Sequence, residues 1–316
     1  MQEVVFLKQN MKDWKAFEKL LDERSKVNPD SLADLFVRLT DDLSYARTNY
    51  PGSKIVSYLN DLAAKAHQKL YRNKKERRGR FVQFWKYELP EVYFSARKEI
   101  IISFTIFIIS ICIGLVSAAN DVKFIRMILG DSYVNLTLDN IEKGDPLAIY
   151  KEMQQVPMFL GITMNNIYVS FLAFIFGIFF SVGTGYLLFT NGIMLGSFQY
   201  LFYENGLLVK SLLVIWIHGT LEISAIIIAG AAGLTMGNGF LFPGTYPRLT
   251  SFQRNAKRGL KMVVGLVPVF IIAGFLESFV TRYTEMPVWF SLLIIGSSLS
   301  FIVWYFFLYP VKLQRR

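Results

Sequence analysis

Three ionisable residues stand inside otherwise apolar stretches of this 316-residue sequence: His218, Glu222 and Glu277. His218 and Glu222 are four apart in His218-Gly219-Thr220-Leu221-Glu222, so on a helix they share one face. At 1.5 Å of rise per residue they stand about 6 Å apart along the axis. Glu277 lies near the end of the following apolar run. Such groups in an apolar bundle usually face its interior, where they pair, pass protons or hold a cation.

Several chemistries lack their parts. A zinc-protease helix needs a second histidine close by, and the other histidine, His67, lies in the polar N-terminal third. A serine protease needs an activated nucleophile. Ser224 follows His218 within two turns, but no nucleophile turn precedes it. No glycine loop of the phosphate-binding kind is present. The sequence therefore assigns no catalytic residue, no metal ligand and no cofactor, and a non-enzyme is expected. Two uses of the trio remain. The expected one is a buried hydrogen-bonded pair, His218 with Glu222, that fixes helix packing. The alternative is a proton or cation path in a transporter or channel-like protein.

Those residues are positioned by two differently composed parts of the chain. Over half of the residues are apolar and the mean hydropathy is +0.36. Residues 1–99 nevertheless hold 20 of the 34 basic and 14 of the 24 acidic residues. Three helical stripes fill this first part: Leu7, Met11, Trp14, Phe17 and Leu21 over 3–24; Leu32 to Ala46 after Asn28-Pro29-Asp30; and Ile55 to Leu70 after Tyr50-Pro51-Gly52. No strand-period alternation occurs, so a small helical bundle over 1–80 is expected.

A basic run follows in Arg72, Lys74, Lys75, Arg77, Arg78 and Arg80, opposed by Glu76 alone. Phe81-Val82-Gln83-Phe84-Trp85-Lys86-Tyr87 then mixes aromatics with charge. Together they read as an interfacial segment, 81–98, with the basic run and Trp85 against lipid headgroups. The net charge of +10 is concentrated beside apolar spans, so lipid and topology explain it without nucleic acid.

Ile100 to Ala119 is uncharged for 20 residues, enough to cross a hydrocarbon core of roughly 30 Å. Residues 120–160 carry four basic and six acidic residues, whereas 237–261 carry five basic residues and no acid. The positive-inside rule places 120–160 outside and both termini and 237–261 in the cytoplasm. A second span is expected over 163–189, with Gly177, Ser181 and Gly185 as a packing row and a break at Thr190-Asn191-Gly192. A short crossing over 192–203 then makes six, with 208–236, 262–280 and 287–309 as the remaining spans. The face of His218 and Glu222 continues through Ile226 to Gly230, and Ala225, Ala229, Gly233 and Gly237 make another row of small residues for packing. The two rows suggest a homodimer.

The expected fold is therefore all-α: a polytopic membrane helical bundle, 99–316, of about six spans, with an N-terminal cytosolic helical domain. Several segments carry a family resemblance. Asp42-Leu43-Ser44-Tyr45-Ala46-Arg47 with Tyr50-Pro51, Leu59-Asn60-Asp61-Leu62 and Ala66-His67 resemble the cytosolic domain of the stage II sporulation protein M family. Asn191-Gly192, His218 to Glu222 running into Ala229-Gly230-Ala231-Ala232-Gly233, and Glu277-Ser278-Phe279-Val280-Thr281 are similar to its membrane part. The resemblance spans nearly the whole chain. It implies a bacterial inner-membrane protein without established catalytic activity. The family's namesake works beside peptidoglycan-degrading enzymes during engulfment, and relatives in non-sporulating bacteria are associated with membrane remodelling and a chaperone-like ATPase. The long cytosolic domain departs from the namesake, so the resemblance implies a scaffold with envelope or ATPase partners and not sporulation.

Overall fold

The computed structural model describes residues 2–22, 29–71, 79–148, 151 and 154–315. Within them the chain is helical, with no strand, and it divides into two compact units, 1–80 and 81–316. Arg72, Lys74, Lys75, Arg77 and Arg78 lie outside the described residues.

In the first unit, α1 (Glu3–Asp22), α2 (Pro29–Asn49) and α3 (Lys54–Tyr71) bury one apolar stripe each. Trp14, Phe17 and Leu21 meet Leu39, Leu43 and Ala46 and then Ile55, Leu59, Leu62 and Ala66 in one core. The one polar group at the centre is satisfied, because the Trp14 indole donates to Asp42 at 2.8 Å.

The second unit starts with α4, residues 80–95, which contains a π-turn at Phe84–Glu88. Then come α5 (Arg97–Asn120), the short α6 (Val122–Leu129) and α7 (Asp131–Glu142), α8 (Gln155–Ile178), α9 (Val182–Glu204), α10 (Leu208–Leu241), α11 (Arg248–Val280) and α12 (Val288–Gln314). Among the described residues five of these, α5, α8, α10, α11 and α12, are long and apolar enough to cross a membrane. At 23 residues α9 is about 34 Å long, also sufficient, but Thr184, Thr190, Asn191 and Gln199 make it more polar.

Contacts give the helix directions. Gly192 of α9 lies against Phe107 and Ser110 of α5, and Gly196 against Ile111 and Gly114, so these two helices run in parallel. On α10, Gly230 lies against Leu188 and Ser103, Gly233 against Thr184 and Gly237 against Ser181, so α10 runs opposite to both. The ends are tied accordingly. Asn238 donates to Glu99, Lys261 to Glu88, and the Tyr305 and Tyr309 hydroxyls to the Trp85 and Lys86 carbonyls at one end. Arg282 donates to the Lys151 carbonyl at the other.

The break between the second and third long helices is not at Thr190-Asn191-Gly192, where the sequence pattern put it. α9 passes straight through, and the chain reverses at Phe179–Ser181, with Phe180 (φ 52°) and Ser181 (φ 66°) in the left-handed region. Asn191 stays helical because its amide donates to the Leu187 carbonyl one turn back. Gly192 serves close packing, since a Cβ there would press into Ser110 and the Phe107 carbonyl. The true turn, Phe176 to Val182, is mostly apolar, and its Gly177 and Ser181 fall in the small-residue spacing that reads as a packing row. Consequently 192–203 is the second half of a full-length helix rather than a short crossing. Gly177, Ser181 and Gly185 do not form one helix face either: the turn separates them, and nothing lies within 4 Å of a Cβ built on Gly185.

This difference has a stability consequence. Gly192→Ala is expected to destabilise the protein by about 1–3 kcal/mol through overpacking, read as a lower melting temperature in detergent. Gly185→Ala is expected to be neutral or slightly stabilising, because the added methyl meets open space. Equal losses at both positions would contradict the turn at 179–181.

Candidate functional site

His218 and Glu222 sit in the first half of α10, and both point across to the end of α11. There the helix widens into a π-turn, Leu276–Val280, in which the Thr281 amide donates to the Leu276 carbonyl at 2.9 Å. Single π-turns of this kind recur at functional sites. The widened turn presents Glu277 and Thr281 together to α10. His218 Nδ1 stands 3.1 Å from the Thr281 hydroxyl, and His218 Nε2 stands 3.8 Å from Glu277 Oε1. One ligand atom each from His218, Glu222 and Glu277 fall within 4.8 Å of one another.

The hydrogen-bond pattern sets the imidazole tautomer. Thr281 spends its hydroxyl proton on the Leu276 carbonyl at 3.2 Å, so it accepts from Nδ1–H. Nε2 is then the basic nitrogen, and it faces Glu277. His218 is 4 % exposed.

The trio forms one wall of a cavity of about 410 Å³. Asn165 and Asn166 of α8, Asn191 of α9 and Tyr133 of α7 bring further polar groups to it, and Phe107, Ile223 and Ile226 supply apolar surface. No lysine or arginine lines it. Asn166 is 5 % exposed, and its amide faces the Glu222 carboxyl.

The packing residues named from sequence divide into two kinds. Gly230 and Gly233 are crossing points: a Cβ on Gly233 would overlap the Ala173 carbonyl and the Thr184 hydroxyl. Gly219 is different. No other helix comes within 4 Å of its Cβ position, and it lines the cavity instead of admitting a neighbouring backbone. Asn191, read as a helix break, is a cavity residue. The row Ala225, Ala229, Gly233 and Gly237 is buried inside a single chain, so it offers no surface to a second copy. Of the lipid-contact residues, Arg80 is exposed, whereas the Trp85 indole nitrogen is buried and Phe81, Val82 and Tyr87 stand exposed around it. Sequence reasoning missed Thr281 and Asn166 as parts of the site. The signal was an Asn165-Asn166 pair inside an apolar run, which had been read as an uninterrupted span.

A helical bundle with five helices fit to cross a membrane and a polar cluster buried between two of them defines an integral membrane protein. The chain belongs to the stage II sporulation protein M family, whose family model matches residues 103–282, more than half of the sequence. That match runs from α5 to just beyond the π-turn and includes the whole trio. Residues 4–72 match a separate model, a domain of unknown function (DUF8413), so the first unit is not part of the family match. No curated protein and no solved structure matches the chain.

Thr281→Val leaves the buried Nδ1–H without its acceptor and is expected to destabilise the protein by about 1–3 kcal/mol. Thr281→Ser keeps the acceptor and is expected to retain most of the wild-type melting temperature. Identical melting of the valine variant and wild type would show that the ring is not anchored there.

Proposed function

We propose that the chain is a non-enzymatic scaffold of the bacterial inner membrane, a component of a cell-envelope or membrane-remodelling complex. One observation carries this reading: the cavity has a closed end. From Ile227 to Gly237 α10 is buried throughout, with Ala229, Ala231 and Ala232 at 0 % exposure, and this stretch separates the cavity from a second one of about 230 Å³ lined by Glu99, Thr235 and Asn238. A conduit needs a wet path to the far face, and backbone-to-backbone contacts at Gly233 and Gly237 leave no room for one. A bundle so tightly closed suits a part that holds others in place.

The alternation of helix directions supports six crossings, with α9 as the third. Arg97, Lys98, Arg248, Lys257, Lys261 and Lys312 belong to helix ends of one side, which the positive-inside rule makes cytoplasmic. Both termini and residues 242–247 then lie in the cytoplasm, and α6 and α7 outside. In the first unit, a groove of about 460 Å³ between α1 and α2, walled by Trp14, Phe17, Leu35 and Leu39 and rimmed by Asp13 and Asp41, suits recruitment of a partner such as a chaperone-like ATPase. A second copy of the chain, if one binds, uses the lipid-facing surfaces instead of the small-residue rows.

Two measurements test this. With Cys112 replaced, a cysteine at Tyr246 is expected to react only from the cytoplasmic side and one at Ser132 only from outside; the reverse pattern would overturn the topology. Purified protein in liposomes is expected to carry no proton or cation flux above empty vesicles. Flux that disappears in Glu222→Gln would replace the scaffold reading by transport.

A further inference from the structure

We propose that His218, Glu222 and Glu277 bind one divalent transition-metal ion, of the chemistry that zinc takes, on the wall of the cavity between α8, α9, α10 and α11. The donor set is one imidazole nitrogen and two carboxylate oxygens from two helices. A nitrogen in the set favours zinc, manganese or iron(II) over calcium and magnesium, which take oxygen ligands. Three protein ligands with a fourth position open to a cavity is the arrangement in which zinc keeps a bound water.

The distances fit. Three atoms no more than 4.8 Å apart have a common centre about 2.8 Å from each (4.8 Å divided by √3). Zinc needs about 2.0–2.2 Å to nitrogen and carboxylate oxygen, so each ligand moves by under about 1 Å. The Glu222 and Glu277 side chains reach that by rotating their terminal torsions, without moving a helix.

The surroundings match a metal site as well. Metal-bound histidine nearly always donates its other ring N–H to a second group that fixes its tautomer and orientation. The Nδ1–H to Thr281 bond does this, and Thr281 is in turn held by the Leu276 carbonyl of the π-turn. Nε2 is left facing the carboxylates. The composition is compatible with a cation: two carboxyl groups line a cavity that contains no lysine or arginine, so a bound divalent ion would meet no competing positive charge. A divalent ion neutralises both. The cavity supplies the way in, and its polar wall supplies room for a bound water. Asn166, 5 % exposed, lines that same space and places its amide beside the Glu222 carboxyl.

A proton relay fits less well. A relay continues from one titratable group to the next, whereas no ionisable side chain follows Glu222 along the rest of α10, from Ile223 to Leu241. Among the described residues no other trio of histidine, cysteine, aspartate and glutamate has metal-ligand spacing.

The test uses the full chain in detergent, stripped with chelator and then given zinc, magnesium or calcium separately. Wild type is expected to retain one zinc per chain after dialysis, by elemental analysis, and to melt at a higher temperature with zinc but not with magnesium or calcium. Cobalt in place of zinc is expected to give visible absorption that His218→Gln abolishes. His218→Gln and Glu277→Gln are each expected to weaken zinc binding at least about tenfold. Thr281→Val should weaken it about tenfold and Thr281→Ser restore it. His67→Gln should leave it unchanged. If His218→Gln does not fold, Glu277→Gln decides, because it keeps the side chain's shape. Absence of retained zinc and of a thermal shift in wild type would overturn the proposal. So would zinc retained equally by wild type and Glu277→Gln, which would be adventitious metal elsewhere. Neither result touches the labelling and flux outcomes on which the scaffold reading stands.

Discussion

The close approach of α10 to its neighbours is the constraint on which the membrane unit depends. In lipid there is no hydrophobic gain from pressing one apolar helix on another, so association rests on packing and on interhelical hydrogen bonds. α10 supplies both. Its second half presents Gly230, Gly233 and Gly237 with Ala225, Ala229, Ala231 and Ala232, so neighbouring backbones come into direct contact. The Ser103 hydroxyl of α5 donates to the Ile227 carbonyl at 2.6 Å, a bond possible only at that separation. Opposite α10, Gly177 and Gly259 repeat the device on α8 and α11, and Gly192 repeats it where α9 meets α5.

The same helix changes character along its length, and that change creates the site. From Ala225 onward it is sealed. Before Ala225, Gly219 has no neighbouring helix within reach, and the bundle opens into the cavity that His218 and Glu222 line. Burying polar and charged groups there is unfavourable unless they find partners. The π-turn of α11 is the compensating feature: by widening at Leu276–Val280 it sets Glu277 and Thr281 opposite His218, and the imidazole is anchored at one nitrogen while the other faces a carboxylate.

The two units follow different physics in one chain. The first is held by water-driven burial of Trp14, Phe17, Leu39, Leu59 and their neighbours, and it matches a family model of its own. The second matches the stage II sporulation protein M family and is held by small-residue packing.

Much of this was legible in the sequence. The three N-terminal helices follow from apolar residues every three or four positions. The long spans follow from uncharged runs, because a hydrocarbon core admits little else. His218, Glu222 and Glu277 were conspicuous because ionisable side chains in such runs are unfavourable unless used. The turn at Phe179–Ser181 was hidden, since its only polar residue, Ser181, sits in small-residue spacing with Gly177 and Gly185, and Asn191-Gly192 imitated a turn while forming a packing point. Nor could spacing tell that Gly219 opens a space while Gly233, further along the same helix, closes one. Composition determined which segments are helical and which enter the membrane, because those are properties of a segment and its solvent. Tertiary structure alone decided where the chain reverses, which glycines touch another backbone, and that Thr281 and Glu277 meet His218. Those depend on what stands opposite each residue, and no residue's own type records its neighbour across the bundle.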